Sequence, residues 1–446
     1  MADQNTVALR DLCVPSRSIT YGIVQPGKLH DGGVPIVRVN NFRGHRLDLS
    51  DRLHVAPEIE ANYRRSRPKP GDVLISLVGS IGQVAIAPPD IEGWNLARAV
   101  GLVPMVDQAT ARWVYYALQT QDAQDYIRRH ANTTVQATFN LKDLARFPIP
   151  FPNRREREQV LEVLGSLDDK IELNRRMNET LERIAQAIFR DWFVDFGPTQ
   201  RKLDGVTDPV EIMGGLIAEP DRARELADLF PARLGDDGPP EGWRASAIRN
   251  LVREAQNGGT PSRKKNEFWE TAQYAWFKTG ELNDQFLLQS EEMISESGLR
   301  AIGNKIWPRG TILFAIYASP TVGRMGVLTG DASANQACTA LLPKPEIGTA
   351  FLFEILKLCR PTLQNIAVGA AQQNISQKML LEHEVLLPTP ELVASFSRLA
   401  TPLLDLRLAN QKQTRTLAAT RDLLLPKLMS GEIRLRDAEV ELEAAQ

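Results

Sequence analysis

Cysteine is scarce in this chain: Cys13, Cys338 and Cys359 are the three among 446 residues. They are too few and too scattered for a disulfide framework or a CxxC metal site. No apolar run approaches the ~20 residues a membrane helix needs. The opening MADQNTVALRD is polar, with no apolar stretch of the signal-peptide kind. Together these absences point to the cytoplasm. Neither charge is in excess, with 53 Lys and Arg against 55 Asp and Glu and a net charge of -2. That balance, and a pI of about 6.3, do not advertise a nucleic-acid binder. Affinity for a polyanion, however, counts the phosphates contacted and not the total charge. The basic residues are also clustered, as Arg64, Arg65, Arg67 and Lys69 and again as Arg263, Lys264 and Lys265.

Catalytic motifs are missing too. There is no NPPY-like or DPPY-like methyltransferase tetrapeptide and no GxxxxGK[ST] loop for ATP. HExxH, GxSxG and paired Cys or His metal spacings are absent. The five histidines are isolated from one another. VGSIG near Gly79 has the look of a phosphate loop, but its counterpart ASPTVG lacks the pattern, so a turn between strands is the better reading.

What is present is length and repetition. A chain of this length exceeds one ordinary core, so two or three domains are expected. Several pairs of segments recur in the same order at an offset of roughly 235–246 residues. LRDL at Leu9 matches IRNL at Ile248, and PIVRVNN at Pro35 matches AWFKTGE at Ala275, which pairs Arg38 with Lys278. GDVLISLVGSIGQVAIA at Gly71 matches GTILFAIYASPTVGRMGVLT at Gly310, and TFNL at 138–141 matches QQNI at 372–375. WVYYALQTQDAQDYIRRH and FLFEILKLCRPTLQNI read as a helix at the same place in each copy. A Pro-rich exit closes both copies, and each then enters a long helical pattern.

The fold class is therefore α+β, in the order domain, helix, domain, helix. Two similar mixed α/β domains, 1–152 and 241–390, are separated by two long helices, 153–195 and 391–428. The helices form an antiparallel coiled-coil-like pair with pseudo-two-fold symmetry. Residues 196–240, with GPTQ, DGVTDP and GDDGPPEG, read as a linker, and 429–446 as an acidic tail. Leu164, Leu167, Ile171, Asn174, Asn178, Leu181, Ala185 and Ile188 fall at spacings of three and four, a heptad seam. The second seam is Leu399, Leu403, Leu406, Asn410, Gln413, Leu417, Thr420 and Leu424, stopped by Pro426. Asn174 and Asn410 hold equivalent places. A buried Asn fixes register because a slipped partner leaves its amide unpaired; the alternative is that both face solvent. Phe189, Trp192 and Phe193 at the end of the first helix either cap the coil or form a partner face.

TYGIVQPG at 20–27, NGGTPSRKKNEFW at 257–269 and WFKTGEL at 276–282 are similar to the openings of two target-recognition domains. The run REREQVLEVLGSLDDKIELNRRMNETLERIAQAIFRDWFVDF, then DLFPARLGDDGPPEGW and DLLLPKLMSGEIRL, complete the likeness. In that order they resemble the DNA specificity subunits of type I restriction-modification systems. The resemblance implies a non-catalytic DNA-binding subunit that reads a bipartite double-stranded target, one half-site per domain. It implies two modification (methyltransferase) subunits as partners, carrying S-adenosylmethionine for adenine methylation. It also implies a restriction (helicase-nuclease) subunit in the full complex, using ATP and Mg, and no cofactor on this chain.

Base readout needs Arg, Lys, Asn, Gln, Ser or Thr on loops, matching donor and acceptor patterns in the major groove. The candidates are polar residues that interrupt apolar patterns at matched places. They are Arg38, Asn40 and Asn41 against Lys278, Thr279 and Glu281; Ser80 against Ser319; and Gln136, Thr138 and Asn140 against Gln372, Gln373 and Asn374. Each has a competing use as a turn cap or solvated loop residue, and capping competes most at Thr138, Asn140 and Asn374. Trp113, Trp192, Trp243, Trp269 and Trp276 are more in keeping with core packing than with base stacking. Two other readings stay open: a structural coiled-coil adaptor, and a two-domain enzyme with a site between its duplicated domains.

Overall fold

The structure is a computed structural model and describes residues 6–131, 137–236, 238–317, 320–368 and 374–433. The chain divides into two units, one made of the residues up to Glu172 with those from Arg415 onward, the other Leu173–Thr414.

In the first unit Val73–Ser76 is buried along its whole length. It lies antiparallel between Val100–Val103 and Val84–Ile86, and Thr20–Tyr21 forms the outer strand beyond Val100–Val103. β-Branched side chains suit such a doubly covered strand because they hold one rotamer and pack well on a pleated surface. A three-stranded sheet sets Val34–Val37 antiparallel to Leu53–Val55 and parallel to Asn95–Leu96. The helical stretch expected over 113–130 is two helices, Gln108–Ala117 and Gln121–His130. The break falls where the Thr120 side chain accepts from the Ala123 N–H and starts a new helix.

The second unit repeats this plan. Ile312–Ala315 lies antiparallel between Cys338–Pro343 and Met325–Leu328, with Val252–Asn257 outermost on one side. Gln285–Leu287 adds a parallel strand on the other. Tyr274–Phe277 pairs antiparallel with Glu292–Ile294 and parallel with Ala332–Ala334. Here the helix is single, Gly348–Val368, and runs through an exposed Pro361.

One matched pair shifts. The Phe139 N–H donates to the Leu77 carbonyl and the Ile375 N–H to that of Ile316, each at 2.9 Å. Phe139 therefore corresponds to Ile375, and Asn140 to Ser376, two residues away from the match of TFNL with QQNI. Asn140 caps Leu141–Ala145 and Ser376 caps Gln377–Glu382. Two different residue types do the same capping job, which hides the correspondence from a letter-by-letter comparison.

Residues 196–240 are not a linker. Helices Gly197–Leu203, Pro209–Ile212 and Pro220–Asp228 carry Ile212, Met213, Ala223, Leu226 and Phe230 into the main core of the second unit. Their prolines sit in the first helical turn, where the missing N–H has no intrahelical partner to lose. Phe189, Trp192 and Phe193 pack on Phe230, Phe351 and Phe396 and are buried. They cap the coil and offer no partner face.

The central helix is Arg154–Phe193 and the distal helix Pro390–Ser430. In the first unit Leu164 and Leu167 share a buried cluster with Leu424, Leu425, Leu428 and Met429. That burial explains why the distal helix does not stop at Pro426. A proline inside a helix costs roughly 3 kcal/mol. Each of the four buried side chains around it contributes about 1.5–3 kcal/mol, and the proline ring itself is exposed. In the second unit the expected distal seam holds at Asn410 and Gln413 but not at Leu406, whose place Arg407 takes. Leu406 is 44% exposed, whereas Arg407 is 6% exposed and faces the central helix. An arginine with a buried stem and a paired head escapes a search for apolar spacing.

Candidate nucleic-acid interface

Arg38 and Lys278 stand at the same structural position. Each ends the middle strand of a three-stranded sheet and opens a tight 3-10 turn, Val39–Asn41 or Thr279–Glu281. The Arg38 N–H donates to Asn41 Oδ1 and the Lys278 N–H to Glu281 Oε1, each at 2.8 Å. Their side chains reach carboxylates at nearly the same distance along the chain. Arg38 Nη2 donates to Asp51 Oδ2 at 2.7 Å. Lys278 Nζ donates to Glu291 at 2.8 Å and Glu292 at 2.9 Å. These bonds, to Glu291 first, hold the ammonium well above the usual lysine range. Glu292 also takes a hydrogen bond from Arg263, which with Lys278 holds its carboxyl down at about 2. Lys278 is thus masked by acid, while Arg38 meets a single, exposed Asp51.

The other candidates separate by burial. Asn40 and Ser80 are exposed on their turns. Asn41 is 1% exposed and both of its amide hydrogens are committed, to the carbonyls of Asp48 at 2.9 Å and Asp51 at 2.8 Å. Thr279 is buried. Glu281 holds its turn through the N–H groups of Lys278 and Glu291. Asn140 is a helix cap, accepting from the Asp143 N–H at 2.9 Å. Thr138 bridges Val78, and Asn374 is half-buried. Gln136, Ser319, Gln372 and Gln373 lie outside the described residues.

Trp113, Trp192, Trp243 and Trp276 are buried. Trp269 is half-buried, with the Arg263 guanidinium stacked 3.7 Å over its ring. The basic cluster at 64–69 also divides. Arg67 grips Glu60 with two bonds of 2.6 Å, and Lys69 binds the Asp72 carboxylate through its own N–H. Arg64 and Arg65 are exposed and make no ion pair among the described residues. They border a cleft with Tyr21, Asn62, Tyr63 and Ser66. Tyr21 and this cleft were not among the expected site residues; the signal was an arginine pair beside a tyrosine that only the fold brings together.

Asn174 and Asn410 both lie in the seam of the second unit. Asn174 is 1% exposed and its Nδ2 donates to Gln413 Oε1 at 2.8 Å. Asn410 Nδ2 donates to Asn178 Oδ1 at 3.0 Å, and Asn178 Nδ2 to the Arg407 carbonyl at 3.1 Å. No group of His, Cys, Asp or Glu suited to hold a metal occurs among the described residues. All three cysteines are free and buried, and burial pushes each thiol up to about 12. No described helix is long and apolar enough to cross a membrane.

A family model for the type I restriction modification DNA specificity domain matches residues 5–183 and 240–392. The chain belongs to that family. It is 27% identical over 405 residues to the HindI specificity subunit of Haemophilus influenzae, across 82% of this chain and 87% of that one. It is 24% identical over 442 residues to the MjaIX specificity subunit of Methanocaldococcus jannaschii, across 92% of each chain. In fold it resembles the type I S subunit from M. genitalium, with a TM-score of 0.52 at 14% identity over 96% of this chain and 97% of that one. As a specificity subunit the chain recognises DNA and works in a complex, and catalysis lies in other subunits.

Proposed function

We propose that the chain reads a bipartite double-stranded target, one short half-site per unit. The observation that carries this reading is the duplication itself. Each unit has its own core, its own four- or five-stranded sheet beside a three-stranded one, and its own loops at matched positions. Two copies of one module suit two separate contacts better than one shared pocket. Arg38, Asn40 and Ser80 are the described candidates with side chains at the surface, and Lys278 is masked unless Glu291 and Glu292 move. Gln136, Ser319, Gln372 and Gln373 belong to the same proposal.

The partners are two modification subunits, which hold S-adenosylmethionine and methylate adenine. A restriction subunit with ATP and Mg joins in the full complex. The complex works in the cytoplasm. The test is reconstitution with a type I modification subunit from the same source, followed by sequencing of methylated sites. Two short motifs with an unspecified gap are expected. Exchange of the second unit's recognition domain for that of a relative is expected to change one motif and leave the other. A change in both motifs would refute the modular reading.

A further inference from the structure

The cleft beside Tyr21 belongs to the first unit alone, and its construction points to an anionic ligand. Glu60, Arg67, Asn95 and Ser66 form an internal network beneath it. Ser66 Oγ donates to Asn95 Oδ1 at 2.7 Å, and Asn95 Nδ2 donates to Glu60 Oε1 at 2.8 Å and the Tyr63 carbonyl at 3.1 Å. With the two-bond grip of Arg67 on Glu60, this network fixes the turn Ala61–Ser66. Arg64 and Arg65 therefore project from a braced backbone, not from a loose loop. On the other wall, Tyr21 is 41% exposed. Its position is set by Gly22, where a Cβ would fall 1.9 Å from the Leu96 carbonyl oxygen, so no other residue lets the strand run this close.

The matched place in the second unit has a different chemistry. The strand passes its neighbour in the same way at Gly258, where a Cβ would lie 2.2 Å from the Ala334 oxygen. The residue before it is Asn257 in place of Tyr21, and its Oδ1 already accepts from Thr339 Oγ1 at 2.7 Å. The spacing from Ile294 to Gly310 equals that from Val55 to Gly71, which aligns Gly303 and Asn304 with Arg64 and Arg65. Both have positive φ, 79° and 55°. The arginine pair and the ring have no counterpart among the described residues of the second unit's turn, where the cation at the matched glycine, Lys305, donates to the Gly258 carbonyl at 3.1 Å.

We infer that the Tyr21, Arg64 and Arg65 cleft binds a backbone phosphate of the DNA at the first half-site, a contact the second unit does not make there. This rests on the reading that the first unit contacts its own half-site. A phosphate suits the site better than a base edge. Two exposed guanidiniums that form no ion pair among the described residues supply charge and donors with little directional selectivity. The Tyr21 hydroxyl adds one donor.

The experiment compares the full chain, assembled with its modification subunits, as wild type, as the double variant Arg64→Gln with Arg65→Gln, and as Tyr21→Phe. Affinity for the methylated site is measured across a salt series. The double variant is expected to bind at least about tenfold more weakly at low salt, with a salt slope smaller by about 1 to 2. Its methylated motif and thermal midpoint should match wild type, because both arginines are exposed. Tyr21→Phe should weaken binding severalfold with the same motif. Unchanged affinity and slope in the double variant overturn the inference and leave the two-unit reading standing. A relaxed base in the first motif also overturns it, in favour of base readout. Wild-type complex that shows no sequence-selective binding overturns the two-unit reading as well.

Discussion

The two stretches of paired helix differ sharply. In the first unit the seam is apolar, with Leu164 and Leu167 against Leu424, Leu425 and Leu428. One polar cluster flanks it: Asp168 accepts from Tyr116 at 2.6 Å and from Arg421 at 2.8 Å. In the second unit the seam carries amides, Asn174, Asn178, Asn410 and Gln413, ahead of the buried Leu181 and Ala185, and the flanking cluster is larger. Glu182 accepts from Arg407 at 2.8 Å and pairs with Lys357, beside a buried Glu354. Both clusters use a carboxylate on the central helix and an arginine on the distal one, in the same antiparallel register. The contrast teaches a division of labour: leucines supply cohesion without registry, while amides and ion pairs supply registry at a cost in cohesion.

The largest effect expected from breaking this contrast is at Leu424, which is fully buried. Leu424→Ala should cost about 2–5 kcal/mol, read by denaturant unfolding with hydrogen exchange resolved to the first unit. A loss below 1 kcal/mol would contradict the apolar seam. Glu182→Gln should cost about 3 kcal/mol in the second unit, because the buried Arg407 loses its counter-charge.

Glu354 adds a pH dependence. Burial, opposed by Lys357, raises its carboxyl from 4.5 to about 7. The folded chain therefore holds a proton that the unfolded chain has released between those values. Stability of the second unit should fall as pH rises from about 4.5 to 7, by about 3 kcal/mol at most, and level off above. Glu354→Gln should flatten that slope; an unchanged slope would assign it to other groups. The smallest effect is the sharpest about registry. Asn174→Leu should raise the second unit's stability by about 1 kcal/mol while loosening the pairing. Thermal melts with cysteine cross-linking across the seam would show both, and a drop in stability would mean the amide contributes more than registry.

The duplication was legible because buried strands leave a plain signature: short apolar runs between small turn residues, as in VLIS and ILFA. The seam of the central helix was legible from its heptad spacing. Arg407 was not, since its letter reads as surface, and its carboxylate Glu182 lies far away in sequence. The folded segment 196–240 was misread because proline marks both turns and helix starts. The candidate interface was read in part. The internal repeat located the turns carrying Arg38 and Lys278, but not the acids that mask Lys278, because Glu291 and Glu292 come from a neighbouring strand and its approach. Tyr21 with Arg64 and Arg65 was invisible, since some forty residues separate the walls of one cleft.

The first unit is assembled from two stretches of chain, one ending at Glu172 and the other beginning at Arg415, with the whole second unit between them. During synthesis Leu173–Thr414 emerges as one unbroken segment and can complete its contacts early. Leu164 and Leu167 must wait for Leu424 and Leu428 until about 260 more residues have been made, on the order of 10–50 s at ordinary elongation rates. For that interval the nascent first unit presents an uncovered leucine stripe. Translation speed and holdase capture at that stage, more than the finished molecule's stability, should govern how much of this protein reaches its folded form.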